Sequence, residues 1–152
     1  MKMIYLASDH AGYGLKEAVK RFLAEKNLEF ADMGPHSYDK DDDYPDFVIP
    51  AAEKVAMQPG NRGIILGGSG QGEAIAANKV KGVRAAVFYG GPDEIILLSR
   101  EHNDANVLSI GARFVSEENA IRAVGLWLET TFTGEERHGR RLAKIGGFEA
   151  RR

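Results

Sequence analysis

The sequence predicts an α/β fold: a doubly wound, five-stranded parallel sheet with helices on both faces, a three-layer, Rossmann-like arrangement. Three observations predict it. Short apolar runs alternate with longer stretches of helical periodicity along the 152 residues. The strand candidates are largely apolar, as in strands buried on both faces. Each is followed by a helix, and right-handed crossovers between parallel strands wind those helices onto both sides of the sheet.

Residues 2–8, KMIYLAS, read as the first buried strand. Leu15, Ala18, Val19, Phe22 and Leu23 then recur at helical spacing and form one apolar helix face. Residues 28–33, LEFADM, are the second strand, and a polar loop follows over 34–45. The next helix covers 45–57, with Pro50 expected to kink it. GIILG, 63–67, is the third strand, and 72–80 its helix. VRAAVFY, 83–89, is the fourth strand. Pro92, Asp93 and Glu94 suit a helix's first turn, so a helix runs from there to Glu101. ANVLSIG, 105–111, is the fifth strand, and Ser116 caps a helix ending near Thr130. A basic helix spans 135–145. No repeat, low-complexity tract or linker interrupts this order, so residues 1–152 read as one domain.

Composition narrows the function. Apolar residues make up 43% and charged residues 28%, ordinary for a globular chain. A single domain of this length buries roughly 70% of its unfolded surface. There is no cysteine, which excludes disulfides, thiolate nucleophiles and thiolate metal sites. The apolar run MIYLA is too short for a signal peptide or a membrane span, so the expected location is cytoplasmic, with no membrane partner. A net charge of −2 argues against nucleic acid. The charge is uneven: residues 39–46 carry five Asp and one Lys, and residues 137–152 carry six Arg or Lys and one Glu.

In doubly wound sheets ligands bind beyond the carboxyl ends of the strands. Those ends carry SDHAG (8–12), GGSGQGE (67–73) and GARF (111–114). The middle one holds four glycines in six residues and is followed at once by Glu73. It is not a Walker A loop, because Glu73 stands where lysine is required. It is not a dinucleotide fingerprint either, since a carboxylate beside a pyrophosphate would repel it. Glu73 has two readings. It could complement the helix dipole, worth about 0.3–1 kcal/mol. It could instead be a general base beside a nest of N–H groups, the pairing that proton abstraction next to a carbonyl needs.

The remaining candidates also have two readings each. Asp9 and His10 either cap the next helix and sit in a loop, or project over the crevice that Glu73 faces. Arg137, His138, Arg140 and Arg141 form either a solvated basic helix or a phosphate clamp, with Arg137 and Arg141 on one face at i,i+4. Arg113 is a further phosphate candidate. His102 suits a helix C-terminus and Asn103 a left-handed cap. No metal is expected. Asp39, Asp41 and Asp43 mimic a calcium loop, but Tyr44 replaces its glycine and Pro50 its final glutamate, so a surface acid cluster is the better account. The four histidines lack ligand spacing.

Taken together, SDHAG, DYP (43–45), GGSGQGEAIAANK (67–79), REHND (100–104), GAR (111–113) and RHGRR (137–141) resemble the type B ribose-5-phosphate isomerases, in order and over nearly the whole chain. That family also contains galactose-6-phosphate and allose-6-phosphate isomerases. It interconverts aldose and ketose phosphates through a cis-enediolate without metal or cofactor. The resemblance implies a strand order of 2-1-3-5-4 and at least a homodimer, with a homotetramer as the larger alternative. Many members carry a cysteine base where this chain has Gly67; another branch has glycine there and a glutamate early in the helix, and GGSGQGE is similar to that branch. Carried over, Glu73 is the proton-transferring base and Ser69 assists it. Gly68, Gly70 and Gly72 belong to the anion-holding loop. His102 is the ring-opening acid/base, with Asn103 and Asp9 on the open sugar. His10, Arg113, Arg137 and Arg141 match phosphate contacts, and Tyr44 walls the pocket.

The predicted topology adds an expectation of its own. Glu73 and Asp9 follow the carboxyl ends of their strands, whereas His102 and Asn103 precede strand five. Those edges lie roughly 20 Å apart. An isologous dimer would bring the two patches together as two shared sites.

Overall fold

The computed structural model describes residues 2–152. Among them, strands and helices follow one another as β1 (Ile4–Ser8), α1 (Tyr13–Glu25), β2 (Phe30–Asp32), α2 (Pro45–Ala56), β3 (Arg62–Gly67), α3 (Gln71–Ala77), β4 (Ala85–Phe88), α4 (Asp93–Glu101), β5 (Val107–Gly111), α5 (Glu117–Glu129) and α6 (Glu136–Glu149). The strands form one sheet in the order β2-β1-β3-β5-β4, every pair parallel. This is the order that the resemblance implies.

The period-two alternation of a strand explains how both faces come to be covered. Ile4 and Leu6 of β1, Ile64 and Leu66 of β3, and Leu108 and Ile110 of β5 enter one core with Val19 and Leu23 of α1, Ile96 of α4 and Trp127 of α5. Ala7, Ile65 and Val107, one position out of phase, enter the other core with Val48, Ala52 and Val55 of α2 and Ala77 of α3. Fully burying one such Leu or Ile side chain contributes about 1.5–3 kcal/mol. No helix among the described residues is long and apolar enough to cross a membrane.

Several boundaries differ from the sequence expectation. β2 and β4 are shorter because each is a sheet edge, where only one neighbour supplies ladder bonds. α3 ends at Ala77 and not near residue 80, and α6 runs on to Glu149. Helix α2 continues through Pro50 unbroken. The Ser116 cap is present, its side chain accepting the Asn119 N–H at 3.1 Å. Lys16, between apolar positions of α1, is fully buried, with Nζ donating to Asp32 at 2.7 Å and to the Pro35 carbonyl.

Candidate active site

The crevice above β1, β3 and β5 is built by close backbone approaches. Gly12 lies so near β3 that a Cβ there would stand 2.2 Å from the Leu66 carbonyl oxygen, so the turn after β1 can rest on β3 only with glycine. Gly70 takes a left-handed conformation, φ 75°, which lets the glycine loop reverse into α3. The buried Ser109 hydroxyl of β5 donates to the Gly70 carbonyl at 2.6 Å and holds that reversal in place. Ala112 and Arg113 donate their N–H groups to the carbonyls of Gly67 and Gly68 at 2.8 and 3.1 Å. Ser69 turns its hydroxyl to the Gln71 N–H at 3.3 Å. The N–H groups of Gly68, Ser69 and Gly70 donate to no other described residue, so the loop presents donors to the crevice.

Glu73 sits in the first turn of α3 but is 4% exposed, too buried for a solvated dipole partner. Its carboxylate lies against Gly67: a Cβ on that glycine would stand 1.7 Å from Oε1. Burial raises its pKa above the usual carboxylate value, its own backbone N–H opposes this, and the neighbouring Asp9 carboxylate adds to the rise. Asp9 itself is buried and accepts the Gly12 N–H at 3.1 Å. It therefore serves the turn before α1, whose N-cap is Gly12, while also facing Glu73. The Tyr44 hydroxyl closes over Gly72, within 2.7 Å of where a Cβ would be. The Arg113 guanidinium lies over Gly68, 3.1 Å from an added Cβ.

His10 completes this edge. Its ring Nδ1 is 2.7 Å from Asp42 Oδ1, and its backbone N–H donates to the same oxygen at 3.0 Å. Asp39, Asp41 and Asp43 are exposed, as a surface acid cluster requires, whereas the Asp42 side chain between them turns inward.

A second group of predicted residues gathers elsewhere. His102 is the C-cap of α4, and its ring stacks on His138 of α6, centroids 4.0 Å apart and planes 17° apart. His138 is buried, so the basic helix is not solvated throughout. Burial and the adjacent His102 hold His138 below the ordinary histidine value. Arg137 pairs with Glu135 at 2.9 Å, and Arg141 is exposed on the same helix face. Asn103 is exposed and is not the left-handed residue; that is Asp104, φ 43°. Asp104 is clamped by Arg84 at 3.0 Å and Arg100 at 2.8 Å, which fixes the turn carrying His102 and Asn103.

The sheet register separates the two groups. Gly63 of β3 pairs with Val107 of β5, and Gly67 pairs with Gly111. His102, Asn103 and the start of α6 belong to the amino edge, and Asp9, His10, Tyr44, Gly68, Ser69, Gly70, Gly72, Glu73 and Arg113 to the carboxyl edge. Five-residue strands separate those edges by roughly 17 Å. Ser109, Asp42 and the Arg84–Asp104 pair left no local signal, because their partners stand 39, 32 and 20 residues away in the chain; the Arg100–Asp104 pair is an i,i+4 contact that helical spacing could have found.

The pattern of the ribose/galactose isomerase family matches residues 4–145. The ribose-5-phosphate isomerase B of Mycobacterium leprae is 42% identical over 146 residues, covering 96% of this chain and 89% of that protein. The crystal structure of ribose-5-phosphate isomerase B from Mycoplasma genitalium with bound ribulose 5-phosphate is similar with a TM-score of 0.93 and 40% identity, over 97% of this chain and 96% of that one. The ribose-5-phosphate isomerase B of Clostridium thermocellum gives a TM-score of 0.91 and 43% identity, over 98% of each chain.

Proposed function

The chain belongs to the ribose/galactose isomerase family and is a sugar-phosphate isomerase, and from that premise we propose that it interconverts D-ribose 5-phosphate and D-ribulose 5-phosphate through a cis-enediolate, with Glu73 as the base. The observation that carries this reading is the buried Glu73 carboxylate beside a loop whose N–H groups face the crevice. In the open-chain aldose, Glu73 takes the proton from C2. The C–H electron pair becomes the C1–C2 double bond, and the carbonyl pair moves onto O1. The glycine-loop donors stabilise that oxyanion. A proton passes from O2 to O1, Glu73 returns its proton to C1, and O2 becomes the ketone oxygen. Ser69 assists the base, and Asp9 and Asn103 bind hydroxyls. Burial suits Glu73 to this work, because a base with a raised pKa accepts a carbon-bound proton more readily near neutral pH.

Ring opening needs an acid/base, and His102 supplies it from the partner subunit. Two features support a shared site. One chain holds its own His102, Arg137 and Arg141 at the edge away from its Glu73. Exposed apolar side chains also flank both edges: Ile75 and Phe114 on one, Ile145 and Phe148 on α6. His10 and Arg113 bind phosphate with Arg137 and Arg141 of the partner subunit, and Tyr44 bounds the pocket. A doubly charged sugar phosphate does not cross membranes unaided, so the reading assigns the reaction to the cytoplasm.

The test is turnover of ribose 5-phosphate against a panel of allose 6-phosphate, galactose 6-phosphate and a tetrose phosphate, for wild type and Glu73→Gln. Ribose 5-phosphate should give the highest kcat/KM. The Gln variant should fold and lose at least about 10²-fold in kcat, with KM little affected. A hexose phosphate at the head of the panel would overturn the substrate, and a Gln variant with near-normal kcat would overturn the base.

A further inference from the structure

The loop before α2 carries five aspartates in residues 39–46. Asp39, Asp41, Asp43 and Asp46 are exposed. Asp42 alone turns inward, its side chain 6% exposed. Its Oδ1 meets both the ring Nδ1 and the backbone N–H of His10, 32 residues away, at 2.7 and 3.0 Å. Its Oδ2 is buried without a hydrogen-bond partner. Buried polar atoms are seldom left without a partner, so this carboxylate's placement calls for an account of its charge.

The bond to Nδ1 decides what the other ring nitrogen can do. A carboxylate only accepts, so Nδ1 must carry its proton. Nε2 then donates only if the ring is doubly protonated; in a neutral ring it would turn a lone pair toward an anion. Nε2 has no partner among the described residues, and the ring stands close enough to Arg113 for the two charges to interact.

We propose that Asp42 is a positioning residue for substrate binding, holding His10 as an imidazolium whose Nε2–H donates to the substrate's phosphate. This rests on the sugar-phosphate reading above. The groups that face His10 are Asp42 on the loop, Asp9 at the end of β1, Arg113 after β5 and the edge of Tyr38, with ring centroids 6.4 Å apart. The hydrogen bond that His10 donates to Asp42 raises the His10 pKa above its ordinary value, desolvation opposes this, Asp9 adds to the rise and Arg113 subtracts from it. For a raised histidine pKa the charge is present below that pKa and is lost as pH rises through it. Phosphate affinity should follow.

The experiment compares Asp42→Asn with wild type across pH in two ways: NMR titration of the His10 imidazole, and the Kd of inorganic phosphate alongside the KM for ribose 5-phosphate. Comparison at a common pH cancels the phosphate's own titration. Asparagine keeps an acceptor but not the charge. The His10 midpoint should therefore move down. Kd and KM should rise by about tenfold at a pH between the two midpoints, the size of a lost charge-assisted hydrogen bond, and converge with wild type below both. An unmoved midpoint, or a weakening equal at every pH, would overturn the proposal; so would a lowered midpoint with wild-type Kd and KM throughout. Should Asp42→Asn not fold, His10→Gln carries the test. Its Kd should exceed that of wild type at low pH and approach it as pH rises, and a constant ratio sinks the idea. Wild type that binds inorganic phosphate with the expected pH dependence but does not turn over ribose 5-phosphate would sink the functional reading and leave Asp42 its role.

Discussion

Glu73 and Gly67 divide one small volume. A Cβ at residue 67 would stand 1.7 Å from Glu73 Oε1 and 2.5 Å from Oε2. The obstacle is the free end of a flexible side chain, so Gly67→Ala should fold and displace the carboxylate. The expected outcome is a loss of kcat approaching that of Glu73→Gln, about 10²-fold or more, with thermal stability close to wild type. An alanine variant with wild-type kcat would mean that the carboxylate works from another position. At this scale the sequence named Glu73, because a carboxylate directly after a glycine loop is incompatible with the usual phosphate-binding motifs. It could not name Asp42. Nothing local separates that aspartate from its four exposed neighbours; only a contact 32 residues away does.

Helix α6 is the least packed element of the fold. Of its 14 residues only His138 is buried. The His102 stack holds its first turn; at its far end Glu149 accepts the Gly82 N–H at 3.1 Å, and Lys81 donates to the Arg152 carbonyl. Arg137→Ala and Arg141→Ala should each weaken inorganic phosphate by roughly tenfold or more in a binding titration. Arg152→Ala should leave it unaltered, since only its main chain takes part in that contact. Equal behaviour of all three would make the helix a solvated basic face. The strands and helices were legible because periodicity is local: the apolar face of α1 and the cap of α5 stand where spacing placed them. The short edge strands, the buried Lys16 and the pairing of the left-handed Asp104 with Arg84 were not, because each depends on neighbours distant in sequence.

At the scale of the whole molecule, the two groups of proposed site residues stand at opposite edges of one sheet. Mixing subunits tests whether a partner joins them. Glu73→Gln and His102→Asn homodimers should each be nearly inactive. Unfolded together and refolded, half the dimers should be mixed, each with one doubly altered site and one intact site, so about a quarter of wild-type activity should return. Activity that stays at the level of the separate variants, with mixed dimers demonstrated by mass, would place a complete site in one chain.

The shared volume at residues 67 and 73 also constrains descent. A carboxylate at 73 can take up its position only once residue 67 is glycine, because a side chain there displaces it. A reconstructed ancestor carrying both a side chain at 67 and Glu73 should therefore fold, hold the carboxylate displaced and lose little kcat on Glu73→Gln.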